Sequence, residues 1–194
     1  MKIRYTIFIF FQLILLNCYS QSNKYKTIHG SLTSSFQIGD ASFNDAETYR
    51  NFGYRIMTGI SGAVGLRPNI NVGMYLRKEN STYFMSSTEG YNSIFINGFG
   101  IGLNAKRFFV NKNKFNFYFQ PTIGYSYGKS SDYYEENAVF NGINYTFGFG
   151  LNWYFIKQTG ISFEFGYHGN TIESKNLKIF GAGFCLGAGI ASYF

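Results

Sequence analysis

The sequence predicts an all-β fold, an eight-stranded antiparallel up-and-down transmembrane β-barrel over residues 28–194. Three observations predict it. Apolar residues alternate with small or polar residues through eight segments. The connections between these segments are alternately short and long. The apolar side of the segments also carries more large side chains than the interior of an eight-stranded barrel can hold, so that side is expected to face outward.

The first twenty residues have the pattern of a secretory signal peptide. Two basic residues precede an apolar run over residues 7–16, and Cys18 and Ser20 give a small-x-small cleavage pattern. The run is shorter than the roughly 18 apolar residues of a spanning helix. We expect residues 1–20 to be removed and residues 21–27 to form a short periplasmic segment. Because LLNC, ending at Cys18, also resembles a lipoprotein signal, lipidation of Cys18 is the alternative.

The first four strands are predicted over residues 28–38, 52–66, 70–77 and 93–109. Large apolar residues of the first alternate mainly with Ser, Thr, His and Gln. Those of the second alternate mainly with Gly, Ser and Ala, and those of the third with Asn, Gly, Tyr and Arg. In the fourth, glycines separate Phe99, Ile101 and Leu103. A period of two in all four segments favours strands with two unlike faces.

The last four strands are predicted over residues 115–127, 143–155, 161–168 and 180–194. The second of these has the clearest alternation, because every other residue from Ile143 to Phe155 is large and apolar. The last alternates bulky residues with Gly, Ala and Cys up to the terminal Phe194. The tight connections are RPN, NKNK and KQTG, so both ends of the barrel domain are expected on the short-turn side.

Aromatic residues near the strand ends predict two interfacial girdles. Phe108, Trp153 and Phe155 lie near the short-turn end, and Tyr125 and Tyr167 lie near the loop end. The opposite parity is rich in glycine with Ser, Thr, Asn and Gln, which suits a narrow interior. A closed barrel is the sheet that satisfies every backbone hydrogen bond in lipid.

On these features the chain resembles the small eight-stranded outer-membrane barrels, the OmpA/OmpX-like porin-family domains of bacteria with two membranes. The resemblance covers residues 28–194. It implies an outer-membrane location, contact with outer-membrane lipid, and a C-terminal signal that the outer-membrane assembly machinery reads, with Tyr193 and Phe194 at its end. Ser192 departs from the apolar alternation of that signal. The resemblance implies no particular activity, because one barrel fold hosts many functions.

The charges, a formal net +7, divide between the two ends of the predicted barrel. All but one of the ten acidic residues are assigned to the long loops or their edges: Asp40, Asp45, Glu47, Glu79, Glu89, Asp132, Glu135, Glu136 and Glu173. The basic residues of the short-turn end are Lys24, Lys26, Arg67, Lys106, Arg107, Lys112, Lys114 and Lys157. A basic rim of this kind is not a compact groove, so we expect no nucleic-acid partner. It could meet lipid phosphates while the acidic loops bind cations, or both sets are merely solvated.

Four charged residues are predicted to point into the lumen. Glu164 is the acidic residue outside the loops, and it is expected to pair with at least one of Lys106, Arg55 and Arg77. A salt bridge that fills the barrel is favoured over a gate or ion-selectivity site.

The lumen is also predicted to hold two histidines, His29 and His168. No third ligand stands at a recognisable spacing from them, so we expect lumen hydrogen bonds and neither a metal site nor a cofactor. Tyr75, Tyr118 and Tyr154 are large enough to fill part of the lumen.

The sequence leaves two functions open. A non-enzymatic structural or surface-interaction role is favoured, with Tyr133 and Tyr134 contacting a possible extracellular ligand. The alternative is a narrow passive channel for ions or small solutes. An enzyme is not expected, since no nucleophile elbow, zinc helix or compelling catalytic triad is present.

Overall fold

The computed structural model of the protein describes residues 28–43, 51–87, 90–112, 114–131, 138–156, 158–175 and 177–193. For residues 85–87, 90 and 91 it describes the backbone alone. The predicted signal peptide, residues 1–20, and the segment 21–27 lie outside these ranges. Within them, no helix is long and apolar enough to cross a membrane.

Eight antiparallel strands close into one barrel in sequence order, which confirms the predicted fold class. The strands are β1 Ile28–Phe43, β2 Phe52–Arg67, β3 Ile70–Ser87, β4 Gly90–Asn111, β5 Phe115–Ser130, β6 Val139–Tyr154, β7 Thr159–Glu173 and β8 Lys178–Tyr193. β1 and β8 close the barrel, with His29 opposite Tyr193 and Phe43 opposite Ile179. Every strand therefore has two hydrogen-bonded neighbours, as a barrel in lipid requires.

The strands extend further toward the loop end than the sequence predicts. β3 was expected to end at Arg77 but continues to Ser87, where it pairs with Gly90 of β4. The predicted strands 70–77 and 93–109 leave residues 78–92, KENSTYFMSSTEGYN, as one of the long loops. This prediction is wrong, because most of these residues form the β3–β4 hairpin. A strand that continues beyond the apolar band can carry polar residues on both faces, so its sequence loses the alternation that identifies a strand.

The outward face carries the large apolar residues, as the volume argument predicts. Phe99 is 60% exposed, Leu186 67% and Phe184 75%. Polar residues are buried on the opposite face, where Asn144, Ser162 and His168 are all 0% exposed. This is the reverse of a water-soluble barrel, whose apolar residues fill the interior.

Phe108 was predicted in the short-turn girdle, and this is wrong. It is 2% exposed and its ring lies 5.5 Å from that of Tyr118 inside the lumen. Phe108 has the parity of the inward residues Asn104 and Lys106, so alternation places it inside, although it is close to a strand end. The register of β4 against β5 shifts only after it, between Phe108 and Val110.

Glycine makes room for the large lumen side chains. The ring of Tyr118 lies over Gly150 so closely that a Cβ there would overlap the ring. Gly62, on the outward face of β2, has no heavy atom within 4 Å of the position of a Cβ. The two glycines therefore form a matched pair for substitution.

We expect Gly150→Val to lower the free energy of unfolding by about 2 kcal/mol, because it overpacks the lumen against Tyr118. Gly62→Val should change it by less than about 0.5 kcal/mol. Urea unfolding in phospholipid vesicles can be followed through Trp153, the only tryptophan of the chain. Equal unfolding midpoints for the two variants would contradict the packing of Tyr118 on Gly150.

Candidate functional site: the closed lumen

An apolar cluster fills the lumen at the loop end of the barrel. We call it the outer plug, and it consists of Ala41, Phe43, Tyr83, Ile94, Ile96, Phe140, Ile172 and Ile179. These are inward positions in the loop-end parts of β1, β3, β4, β6, β7 and β8. Ile179 is 0% exposed and Phe140 1%. The plug thus contains close-packed side chains from most of the barrel wall.

Directly below the outer plug lies the charged cluster, formed by Arg55, Arg77 and Glu79. One Glu79 oxygen lies 3.6 Å from Nη1 of Arg55, and the other accepts a hydrogen bond from Nε of Arg77 at 2.5 Å. The Arg55 and Glu79 side chains are 3% and 5% exposed. One carboxylate therefore serves the buried guanidinium group of Arg55 and that of Arg77, whose side chain is 12% exposed.

Arg55 is held by neutral partners as well. Its Nε donates to the Ser81 hydroxyl at 2.8 Å and its Nη2 to the Tyr83 hydroxyl at 2.8 Å. Its Nη1 lies 3.0 Å from Nε2 of His168. Since a guanidinium only donates, Nε2 accepts and the proton of a neutral His168 is on Nδ1. Nδ1 lies 2.8 Å from the Thr146 hydroxyl, whose oxygen can accept the hydrogen bond that the Nδ1–H group donates.

Glu79 is a lumen residue that the sequence analysis missed. Its assignment to an acidic loop is wrong, because it belongs to β3 and is 4% exposed. Its parity with Tyr75 and Arg77 was the signal that could have found it. The polar sequence around it, Lys78 to Thr82, concealed that signal.

A side-chain network connects the charged cluster to β5 and β6. Asn144 Oδ1 accepts from the Tyr75 hydroxyl at 2.5 Å and from Nη2 of Arg77 at 2.9 Å. Asn144 Nδ2 donates to Ser126 at 2.7 Å, and the Ser126 hydroxyl donates to Glu79 at 2.8 Å. Such a satisfied network fixes the rotamers of its members.

The lumen is also filled toward the short-turn end. We call this group the inner plug: Phe108, Tyr118 and Tyr154, which are 2%, 0% and 3% exposed. Lys106 lies beside it, with Nζ 4.5 Å from the centre of the Tyr118 ring. The same Nζ lies 3.8 Å from Glu164, and the Tyr118 hydroxyl donates to Glu164 at 3.0 Å. Of the three cations proposed for Glu164, the structure brings Lys106 to it, whereas Arg55 and Arg77 pair with Glu79.

Between the charged cluster and the inner plug lies a cavity of about 90 Å³ with polar and apolar lining residues, which we call the chamber. Its polar lining includes Ser31, Thr33, Ser35, Ser61, Tyr75, Arg77, Gln120, Thr122, Thr146, Glu164 and Cys185. Pockets for organic ligands usually measure about 300–1,000 Å³. The chamber therefore has room for a few waters or a small ion but not for an organic cofactor.

The two predicted lumen histidines occupy different places. His168 belongs to the network around the charged cluster. His29 is half-buried near the short-turn end, with ring centroids 5.9 Å from Phe108 and 6.1 Å from Tyr193. In the described part of the chain, no three His, Cys, Asp or Glu side chains are grouped as metal ligands.

The remaining girdle residues face outward. Trp153 is 55% exposed, Tyr125 48% and Tyr167 44%, and Phe155, 58% exposed, follows the end of β6. The Tyr125 hydroxyl donates to Asn141 at 2.8 Å, so the ring is held at the loop-end border of the outward face.

Three residues of interest are not among those described. Tyr133 and Tyr134, the predicted loop contacts, lie outside the described residues, as does Phe194. Tyr193 is the last residue of β8 and pairs with His29. The loop contacts and the assembly signal therefore stay predictions.

Comparison with known proteins supports the fold. No protein-family model matches the chain, and no curated protein matches it. Among solved structures, the chain is similar to the outer membrane protein OprG from Pseudomonas aeruginosa, with a TM-score of 0.57 and 9% identity. That match covers 88% of this chain and 97% of the OprG chain.

A second similar structure is the N-terminal β-barrel domain of Pseudomonas aeruginosa OprF. Its TM-score is 0.50 at 11% identity, and the match covers 88% of this chain and 98% of that domain. Neisserial surface protein A matches with a TM-score of 0.47, 15% identity and coverages of 86% and 97%. At these identities the likeness shows the fold alone: the chain has the fold of the small eight-stranded outer-membrane barrels.

Proposed function

We propose that the protein is an integral barrel of the bacterial outer membrane with a structural or surface-interaction role and a lumen that does not conduct. The observation that carries the proposal is the closure of the lumen by the outer plug and the inner plug. The apolar outward face supports a lipid location, since a water-soluble barrel would bury those residues. The shared fold with OprG, which is described as an outer membrane protein, supports the same location.

The closed lumen favours this role over a narrow channel. A continuous path would need Phe140 and Ile179 to leave the outer plug and Tyr118 to leave the inner plug. Close-packed side chains do not leave such sites without losing their contacts. The path would also have to cross the charged cluster, where breaking the Glu79 pairs leaves buried charges without a partner.

The proposed role is also not catalytic. His168 is the buried group best suited to general base chemistry, but Arg55 and Thr146 engage both of its ring nitrogens. Lys106 and Tyr118 both contact Oε1 of Glu164. Interaction with the surroundings then depends on the loops, where Tyr133 and Tyr134 remain the proposed contacts. Alanine at both positions should reduce binding of the barrel to host-cell or bacterial surfaces, and unchanged binding would remove them from the proposal.

The closed lumen can be tested through Cys185, which lines the chamber. In a chain carrying Cys18→Ser, Cys185 is the only cysteine, because the sequence contains two. We expect a small charged methanethiosulfonate to label Cys185 on the order of 100-fold more slowly in the folded barrel than in urea, since labelling requires a local opening. The same protein should give no discrete conductance steps in a planar bilayer.

A matched control places the only cysteine at an exposed site. Ser131, just after β5, is exposed. The control variant combines Ser131→Cys with Cys18→Ser and Cys185→Ser, and its single cysteine should be labelled at a similar rate in the folded and unfolded states. Rapid labelling of Cys185 in the folded barrel, together with conductance steps, would favour the narrow channel instead.

A further inference from the structure

The described lumen holds more positive than negative charge. Arg55, Arg77 and Lys106 face Glu79 and Glu164, so three cations against two carboxylates leave one positive charge. His168 adds none, because it accepts a hydrogen bond from Arg55 through Nε2. An uncompensated charge away from bulk water is costly, so the folded lumen favours a further negative group.

The excess charge lies on the arginines, since Lys106 has Glu164 while Arg55 and Arg77 share Glu79. All three nitrogens of Arg55 have partners in the protein. Arg77 donates from Nε to Glu79 and from Nη2 to Asn144. Arg77 also lines the chamber. Among the described contacts its Nη1 has no hydrogen-bond partner, so this nitrogen can donate to a ligand.

The chamber wall offers further donors. Hydroxyls of Thr33, Ser35 and Thr146 line it, and such groups can turn their hydrogens toward an anion. Gln120 also lines the chamber, and its Oε1 is buried without a hydrogen-bond partner within the described chain. An amide oxygen only accepts hydrogen bonds, so it requires a donor, and this indicates that the chamber holds ordered water beside any ion.

Size limits what that occupant can be. About 90 Å³ accommodates one small ion with a few waters. Glu164 also lines the chamber, but Lys106 and the Tyr118 hydroxyl both contact its Oε1, and the ammonium offsets the negative charge that would repel an anion. We propose that the chamber binds one small monovalent anion of the halide type, held by Arg77 and the chamber hydroxyls. The proposed anion site does not depend on the partner that the loops are proposed to bind.

The test is to refold the full chain in chloride, in bromide or in isethionate at one ionic strength, because the plugs enclose the anion as the barrel forms. Isethionate is too bulky for the chamber with its waters. We expect a higher urea midpoint in the two halides than in isethionate. A crystal grown in bromide should show one anomalous peak in the chamber near Arg77.

Two variants separate this site from a general salt effect. Arg77→Gln should abolish the difference between halide and isethionate, whereas Arg67→Gln, at an exposed cation beside the short turn, should retain it. If Arg77→Gln does not fold, Thr33→Val serves instead and should reduce the difference. Equal midpoints in the three salts, or a bromide crystal with no anomalous peak in the chamber, would overturn the proposal.

Discussion

Replacing Glu79 with glutamine is expected to lower the free energy of unfolding by about 3–5 kcal/mol. The carboxylate is 4% exposed and pairs with both Arg55 and Arg77. Glutamine has nearly the same shape but no charge, so the two guanidinium groups would stay buried without a counter-charge. Urea or guanidinium unfolding in phospholipid vesicles, followed by Trp153 fluorescence, measures the loss.

Glu173→Gln is the matched control, because Glu173 is also a strand glutamate with a cationic partner. Its carboxylate lies 3.5 Å from Lys178, but the side chain is 56% exposed. Exposed pairs contribute roughly 0–1 kcal/mol, so the control should unfold close to the wild type. If both variants lost the same small amount, the charged cluster would not be an important source of stability.

The alternation of residues was sufficient to predict the barrel and its outward face. From Ile143 to Phe155, for example, each side chain's parity decides whether it faces outward or into the lumen. The same rule places Lys106, Glu164 and His168 inside. These predictions succeed because side-chain direction in a strand depends only on the count along the chain.

Contacts between side chains of different strands cannot be predicted from the residues of one strand. Lys106 and Glu164 lie on β4 and β7, and their approach across the lumen depends on the stagger of all the strands between them. Glu79 lies where β3 has left the apolar band, so its polar neighbours resemble a loop. Phe108 lies near a strand end, where outward aromatic residues form a girdle, but its parity places it in the lumen.

The outward face can be tested with an arginine scan of β4. We expect Leu103→Arg to destabilise the barrel in phospholipid vesicles by about 2–4 kcal/mol, because Leu103 is 54% exposed within the apolar band and the arginine would lie in hydrocarbon. Asn97→Arg, on the same face but at the loop-end border, should change the stability by about 0–1 kcal/mol.

The two variants place an arginine at different depths in the membrane. Both arginines point outward from the same strand and leave the lumen unchanged. Urea midpoints should therefore separate the two variants in vesicles. In a water-soluble barrel with an exposed outer face, an arginine at Leu103 would be tolerated as well as one at Asn97. A midpoint for Leu103→Arg equal to that of Asn97→Arg would thus place this face in water and remove the physical basis for a membrane-spanning barrel.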